Sequence, residues 1–253
     1  MLIFSIAARE LRSLFLSPLA WSMLAVVQLI IGYMFLINVD AFMQVQPRLV
    51  GLEGAPGLTD IVIAPLLGSA AIVMLLVVPM LTMRLVAEER RGQTLSLLFS
   101  APLSMTQIIL GKYLGVVGFL FIMLAMIALM PLSLLAGGSI DAGQFGAGLL
   151  GLALLLASFA AAGLFLSTLT AQPAVAAIGS FGLLLLLWII DWAGGTQQAD
   201  KASDLFAYLS LVRHYEPFLK GVFNTSDVIY YLLFIFTFLV LSIRRLDADR
   251  LQH

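Results

Sequence analysis

Ionisable side chains are scarce in this sequence, so the places where they gather carry most of the chemical information. The densest cluster lies between two long apolar runs, in Arg84-Leu-Val-Ala-Glu-Glu-Arg-Arg-Gly-Gln-Thr-Leu-Ser-Leu-Leu-Phe-Ser-Ala-Pro-Leu-Ser104. Arg84, Arg90, Arg91 and, just beyond, Lys112 surround Glu88 and Glu89, and a helical turn follows with Leu95, Leu98 and Phe99 on one side. Mixed charge beside an apolar stripe is the chemistry of a contact surface, where charge selects a partner and buried anchors hold it. A loop that merely fixes topology, with a helix resting in the membrane interface, would show the same residues.

The residues for catalysis are missing. The two histidines, His214 and His253, are far apart in the chain, and no HExxH pattern occurs. Gly111-Lys112 is not a phosphate-cradling loop, because Thr106 stands where the earlier glycine belongs and Tyr113 where Ser or Thr must follow. Ion coupling or catalysis inside a membrane needs ionisable groups at depth. None lies near the middle of an apolar run; Lys112 and Asp191 sit at run ends. We therefore expect no catalytic, cofactor or metal site in this chain, and the pattern disfavours a proton- or sodium-coupled transporter, an intramembrane metalloprotease, a haem protein and an enzyme acting on lipid. With no cysteine there is no disulfide and no thiolate metal site. Asn224-Thr-Ser226 matches a glycosylation acceptor, a pattern too common by chance to carry weight.

Composition sets the class. The chain has 253 residues, of which 62% are hydrophobic and 11% charged, and its mean hydropathy is +1.08. That is the composition of an all-α polytopic membrane protein. The N-terminal apolar stretch runs past the length of a signal-peptide core and no small-residue cleavage site closes it, so the first span is expected to stay.

A helix needs roughly 20 residues to cross a hydrocarbon core of about 30 Å. The uncharged runs are Ser13–Val39 (27 residues), Ile61–Met83 (23), Tyr113–Ile140 (28) and Ala142–Ile190 (49). The last holds two helices, with Pro173 suited to the first turn of the second. Val228–Ile243 supplies 16 uncharged residues, and extension to Thr225 lets it cross. Six spans result. A single transmembrane domain, 1–253, then divides into an interfacial helix (1–17), spans at 18–39, 61–83, 113–136, 145–168, 173–191 and 225–243, a polar segment at 84–104, an outer segment at 192–224 and a tail at 244–253.

Orientation follows the bias of Lys and Arg toward the cytoplasm. With six spans, one side holds Arg9, Arg12, Arg84, Arg90, Arg91, Lys112, Arg244, Arg245 and Arg250. The other holds Arg48, Lys201, Arg213 and Lys220. Both termini and segment 84–104 are expected in the cytoplasm.

The flanks read as follows. Residues 2–16 place Ser5, Arg9, Arg12 and Ser13 on one helical face and Phe4, Ala7, Leu11, Leu14 and Phe15 opposite, the pattern of a helix lying in the interface. A snorkelling flank would look similar. The outer loop from Asp40 to Asp60 is rich in Gly and Pro. Asp204–Lys220 carries Leu205, Tyr208, Leu209, Val212, Tyr215 and Leu219 at helical spacing with Gly221 placed to stop it, so short outer helices are expected, either capping the bundle or lining a ligand site. Neither outer segment is large enough for an independent domain. Small residues crowd the fourth span from Gly143 to Gly163 and suit close helix contact, within the chain or between subunits. Pro65, Pro79 and Pro131 predict kinks.

Taken together these pieces resemble the ABC-2 type permease subunits, the membrane half of ATP-driven transporters of the type V exporter-like class. Ala7-Ala-Arg-Glu-Leu-Arg-Ser-Leu-Phe-Leu-Ser-Pro18 is similar to that family's connecting helix. Ala87-Glu-Glu-Arg-Arg-Gly-Gln-Thr-Leu-Ser-Leu-Leu-Phe-Ser-Ala-Pro102 is similar to its coupling segment, with Ile108-Ile-Leu-Gly-Lys112 opening the third span. His214-Tyr-Glu-Pro-Phe-Leu-Lys-Gly-Val-Phe-Asn-Thr-Ser-Asp-Val-Ile-Tyr-Tyr231 is similar to the branch holding gliding-motility permeases and the permease of nitrous oxide reductase maturation. The resemblance covers essentially the whole chain, with one departure at Ser96, where many relatives carry Glu.

The resemblance implies a permease in the inner, cytoplasmic membrane that pairs with a second copy or a related permease. A cytoplasmic ABC ATPase subunit would hold the ATP and Mg, none being bound in this chain, and a periplasmic accessory protein belongs to the expected assembly; nucleic acid does not. Docking on the ATPase would fall to Arg9, Glu10 and Arg12 of the connecting helix and to Glu88, Glu89, Arg90, Arg91, Thr94, Leu95, Leu98 and Phe99 of the coupling helix. The charges would orient the contact while Leu95, Leu98 and Phe99 fill a groove. Spans two and five would line a central path for substrate export, for lipidic cargo, or for mechanical transmission without a large solute. A scaffold that assembles partners without transport is the alternative.

Overall fold

In the computed structural model, residues 2–49, 56–94, 104–136, 140–194 and 208–250 are described. Helices α1 (Leu2–Leu16), α2 (Pro18–Leu49), α3 (Ala64–Thr82), α4 (Ala87–Arg91), α5 (Met105–Ser133), α6 (Ala142–Leu169), α7 (Pro173–Gly194), α8 (Leu211–Leu219) and α9 (Thr225–Arg250) account for nearly all of them. Among the described residues there is no strand, as expected where backbone groups must be satisfied without water. Six helical stretches, Pro18–Arg48, Thr59–Arg91, Met105–Ser133, Ala142–Leu169, Pro173–Ile190 and Thr225–Arg250, are long and apolar enough to cross a membrane.

The prolines explain several boundaries. Pro18 and Pro173 each open a helix, where the missing N–H costs no bond. Pro65 follows a π-helical turn at Thr59–Ile63; α3 stops three residues after Pro79; and α5 stops two after Pro131 and tightens into a 3-10 turn at Leu134–Ala136. Several helices overrun the apolar count; α5 starts at Met105, ahead of Tyr113, and α9 runs past Ile243 to Arg250. The first span's helix continues past Asp40 to Leu49, with Pro47 in its last turn. A carboxylate ends an apolar run, but it does not end a helix.

Helix α6 is the centre of the bundle and packs on α3, α5, α7, α8 and α9. Its small residues serve contacts inside the chain. A Cβ on Gly148 would lie 2.7 Å from Leu67 Cδ1, one on Gly151 would lie 2.6 Å from Phe218 Cβ, and one on Gly163 would collide with the Thr82 hydroxyl. Helix α1 lies along α5 in the same way: a Cβ on Gly111 would meet Ile6 Cβ at 2.6 Å, and one on Gly115 would meet Glu10 Cβ at 2.7 Å. Helices α2 and α9 are peripheral and keep exposed apolar faces, including Leu29, Leu36, Leu233 and Phe236.

The bundle has two ends. At one, here called the terminal face, α1, α4, the start of α5 and the last turn of α9 come together. At the other, α8 is fastened down. The Tyr215 hydroxyl donates to the Leu67 carbonyl (3.1 Å), that of Tyr231 to the Leu211 carbonyl (2.8 Å), and the Gln144 amide to the Leu219 carbonyl (3.0 Å). Burial pushes the Tyr215 phenol above its ordinary value, so it stays a donor. Gly221 follows with φ +75, the left-handed turn that glycine makes without strain.

Candidate docking junction on the terminal face

The junction starts from a broken helix. Beyond Thr82 the backbone makes a turn through residues 83–86 before α4 resumes at Ala87, and such a break leaves amides without intrahelical partners. Ser167, near the end of α6 and fully buried, supplies what is missing. Its hydroxyl accepts from the amides of Val86 and Ala87, both at 3.1 Å, and donates to the Met83 carbonyl at 3.0 Å. One side chain of the fourth span thus fixes where the short helix points.

Two ion pairs then tie α4 to the bundle on opposite sides. Lys112, on α5, is only 2% exposed. Its ammonium donates to Glu89 Oε1 at 2.7 Å and to Glu10 Oε1 at 3.0 Å, so one buried cation joins α4, α5 and α1. Its depth follows from the glycines at 111 and 115, which let α1 lie close enough for Glu10 to reach it. Two carboxylates offset the cost of taking an ammonium out of water. On the other side Arg90 donates to the Thr168 carbonyl at 2.8 Å and pairs with Asp249 on the last turn of α9. Arg245 reaches the same carboxylate at 3.5 Å.

The expected contact residues therefore fall into four groups. Glu10, Glu89 and Arg90 are turned inward and hold the junction together. Thr94 caps α4: its amide and hydroxyl both donate to the Glu89 carbonyl, at 3.0 and 3.2 Å, helped by a left-handed Gln93 (φ 54). Arg9, Arg12, Glu88 and Arg91 are exposed. Leu95, Leu98 and Phe99, with Ser96, lie outside the described residues.

An open groove of about 1100 Å³ borders α4, with Arg84, Glu88 and Arg91 on one side and Gln172, Pro173 and Ala174 on the other. The turn between α6 and α7 thus joins the surface, although nothing in its local sequence marks it. Ser167 was equally silent, since a lone serine in an apolar span is ordinary. The Gly111-x-x-x-Gly115 spacing, in contrast, was a readable sign of close helix approach.

A second polar cluster lies at the far end. His214 Nδ1 is 2.6 Å from Asp227 Oδ1, its Nε2 is 2.9 Å from the Tyr208 carbonyl, and its ring stacks on Tyr230 at 3.9 Å. Nδ1 links α8 to α9 and Nε2 holds the backbone at Tyr208 ahead of α8, which leaves no free ring nitrogen for a substrate. Among the described residues no group of three or more His, Asp or Glu is arranged to hold a metal ion.

No curated protein matches this sequence. The family model described as ABC-2 family transporter protein matches residues 4–251. That match takes in α1, the junction and all six apolar stretches, and it accords with a membrane component that is not itself catalytic. The chain belongs to the ABC-2 family of transporter proteins and is a permease component of an ABC transporter.

Proposed function

We propose that this chain receives force from a separate ATP-hydrolysing subunit through its terminal face and moves its helices in response, in support of export or of mechanical transmission. The observation that carries this reading is the construction of α4. A five-residue helix is tied by ion pairs to α5 and α9, by a hydrogen bond to α6 and, through Lys112, to Glu10 of α1, while Glu88 and Arg91 on the same helix stay exposed beside an open groove. A segment rigidly tied on one side and bare on the other suits a lever: a push on its outer side displaces α1, α5, α6 and α9 together. By this reading the terminal face is cytoplasmic, the membrane is the inner membrane, and the partner holds the ATP and Mg. The chain works as a pair with a second copy or a related permease, and a periplasmic accessory protein meets the far end. The tail from His214 to Tyr231 supports the gliding-motility and nitrous-oxide-reductase-maturation branch.

Paired substitution of Leu98→Asp and Phe99→Asp tests it. Loss of two apolar anchors is expected to cut ATPase co-purification by roughly a hundredfold, at about 1.4 kcal/mol each. Reversing the exposed pair, Glu88→Arg with Arg91→Glu, is expected to shift the salt dependence of binding. Unchanged co-purification of the ATPase with the Leu98/Phe99 variant would overturn the docking assignment. Binding of an ATPase whose turnover never responds to this chain would favour the scaffold.

A further inference from the structure

The stretch that leads into α8 hangs on side-chain donors. The carbonyls of Tyr208, Leu209 and Leu211 are met by His214 Nε2 at 2.9 Å, the Tyr230 hydroxyl at 2.8 Å and the Tyr231 hydroxyl at 2.8 Å. Phenols ordinarily hold their proton to about pH 10, whereas histidine is the side chain whose charge ordinarily changes between about pH 5 and 8. One of the three donors is therefore open to change near neutrality.

The surroundings of that histidine ask for two ring protons. His214 and Asp227 are only 5% and 6% exposed. Nδ1 lies 2.6 Å from a carboxylate oxygen of Asp227, and Nε2 lies 2.9 Å from the Tyr208 carbonyl. Both partners accept, and a neutral imidazole has one N–H to give. Holding both contacts takes one proton more than a neutral ring beside an ionised carboxylate carries. The setting favours that charge on the ring. Asp227 stands in the first turn of α9, where the helix dipole favours a carboxylate, and its Oδ2 is buried without a hydrogen-bond partner. Its ion-pair partner among the described residues is His214. The ring also stacks on the face of Tyr230 at 3.9 Å, an arrangement that attracts a cation.

Other ionisable groups around the ring are few. Tyr208 meets it edge-on, and Tyr231 lies beside Tyr230. On α8 itself Arg213 and Glu216 are exposed, and Tyr215 is spent on α3. Helices α3 and α6 carry no ionisable side chain. Asp60 and Asp141, at the same end, are taken up by Gln144 and nearby amides. The side chains of Asp191, Asp200, Lys201 and Asp204 lie outside the described residues.

From this geometry we infer that His214 and Asp227 form a proton-binding site that clasps the entry of α8 to α9. With the proton bound, the imidazolium donates to both Asp227 and the Tyr208 carbonyl. When the proton leaves to water, the remaining N–H stays with the carboxylate, the stronger acceptor, and Nε2 turns a lone pair toward the carbonyl. That contact breaks, and the stretch before α8 keeps the two phenols but loses its third donor. The closed clasp binds one proton more than the open one, so it is firm on the acid side and loosens as pH rises. The site is independent of any ATPase. In the proposed orientation, on which this step alone rests, the proton comes from the external medium.

The test uses the whole purified chain carrying His253→Gln, which leaves His214 as the single histidine. Nitrogen NMR of the histidine-labelled protein should show N–H at both ring nitrogens at about pH 5.5 and loss of the proton from Nε2 as the pH is raised to about 8.5. Equilibrium unfolding in mixed micelles of rising SDS content should become easier over the same range, the unfolding constant growing by up to roughly tenfold per pH unit, the limit for one proton. A buried histidine that is neutral in the fold gives the opposite sign, because unfolding then takes up a proton as the pH falls. Asp227→Asn separates the two again. Its amide can donate to Nδ1 of a neutral ring that gives its own N–H to Tyr208, so this variant should stay folded and lose the pH dependence. A ring with one N–H throughout, a ring that keeps both to about pH 8.5, a proton lost from Nδ1, stability that falls toward acid pH, or a pH dependence unchanged by Asp227→Asn would each overturn the assignment.

Discussion

Lys112 shows how one residue can set the behaviour of a junction. Its ammonium is nearly inaccessible and answers two carboxylates from different helices, so Lys112→Met would leave Glu10 and Glu89 facing each other without a cation. We expect a loss of about 2 kcal/mol of stability, below the roughly 3–5 kcal/mol of a fully buried pair because Glu10 and Glu89 keep some contact with water. Thermal unfolding in detergent reads it, and Glu89→Gln added to Lys112→Met should recover part of the loss, since the second change removes one of the stranded charges. Counting charge along the chain placed Lys112 at the end of an apolar run, whereas the helix that carries it begins at Met105, two turns earlier. It could not say that the residue is buried, because its partners lie 23 and 102 positions away. Pro18, Pro173 and Gly221 were legible for the opposite reason. Their effect is written into their own backbone torsions and needs no partner.

At the scale of elements, the contact between α3 and α6 depends on Gly163. Because any Cβ there meets Thr82, Gly163→Ala should force the helices apart and cost about 1–3 kcal/mol, as overpacking does. Thr82→Ala in the same chain should restore part of the unfolding temperature, an outcome that a simple change in helix propensity would not produce. The small-residue stripe was visible in the sequence, but whether it faced a neighbour within the chain or a second subunit was not. Only the positions of Leu67, Phe218 and Thr82 decide that. The turn at 83–86 was hidden more completely. Apolar counting ended the second span at Met83 and gave 84–86 to the polar segment without showing a turn there, and the serine that satisfies its amides lies on another helix.

At the scale of the whole molecule, the two ends of the bundle are built differently, and the difference is open to measurement. The chain has no cysteine, so single cysteines introduced at Arg91 and Val222, both exposed, report sidedness without background. With the terminal face in the cytoplasm, a membrane-impermeant maleimide should label position 222 in intact cells and position 91 only after permeabilisation; the reverse pattern would invert the assigned orientation. The terminal face also has a history during synthesis. The bond from Arg90 to Asp249 spans 159 positions, so when α4 leaves the ribosome neither Ser167 nor Asp249 exists, and its amides and guanidinium can be satisfied only by water. Helix α4 is thus made early and locked late. A chain truncated after Ile243 should insert its early spans and yet leave residues 84–94 open to protease, which makes completion of α9 a built-in check that only finished subunits hold α4 in place.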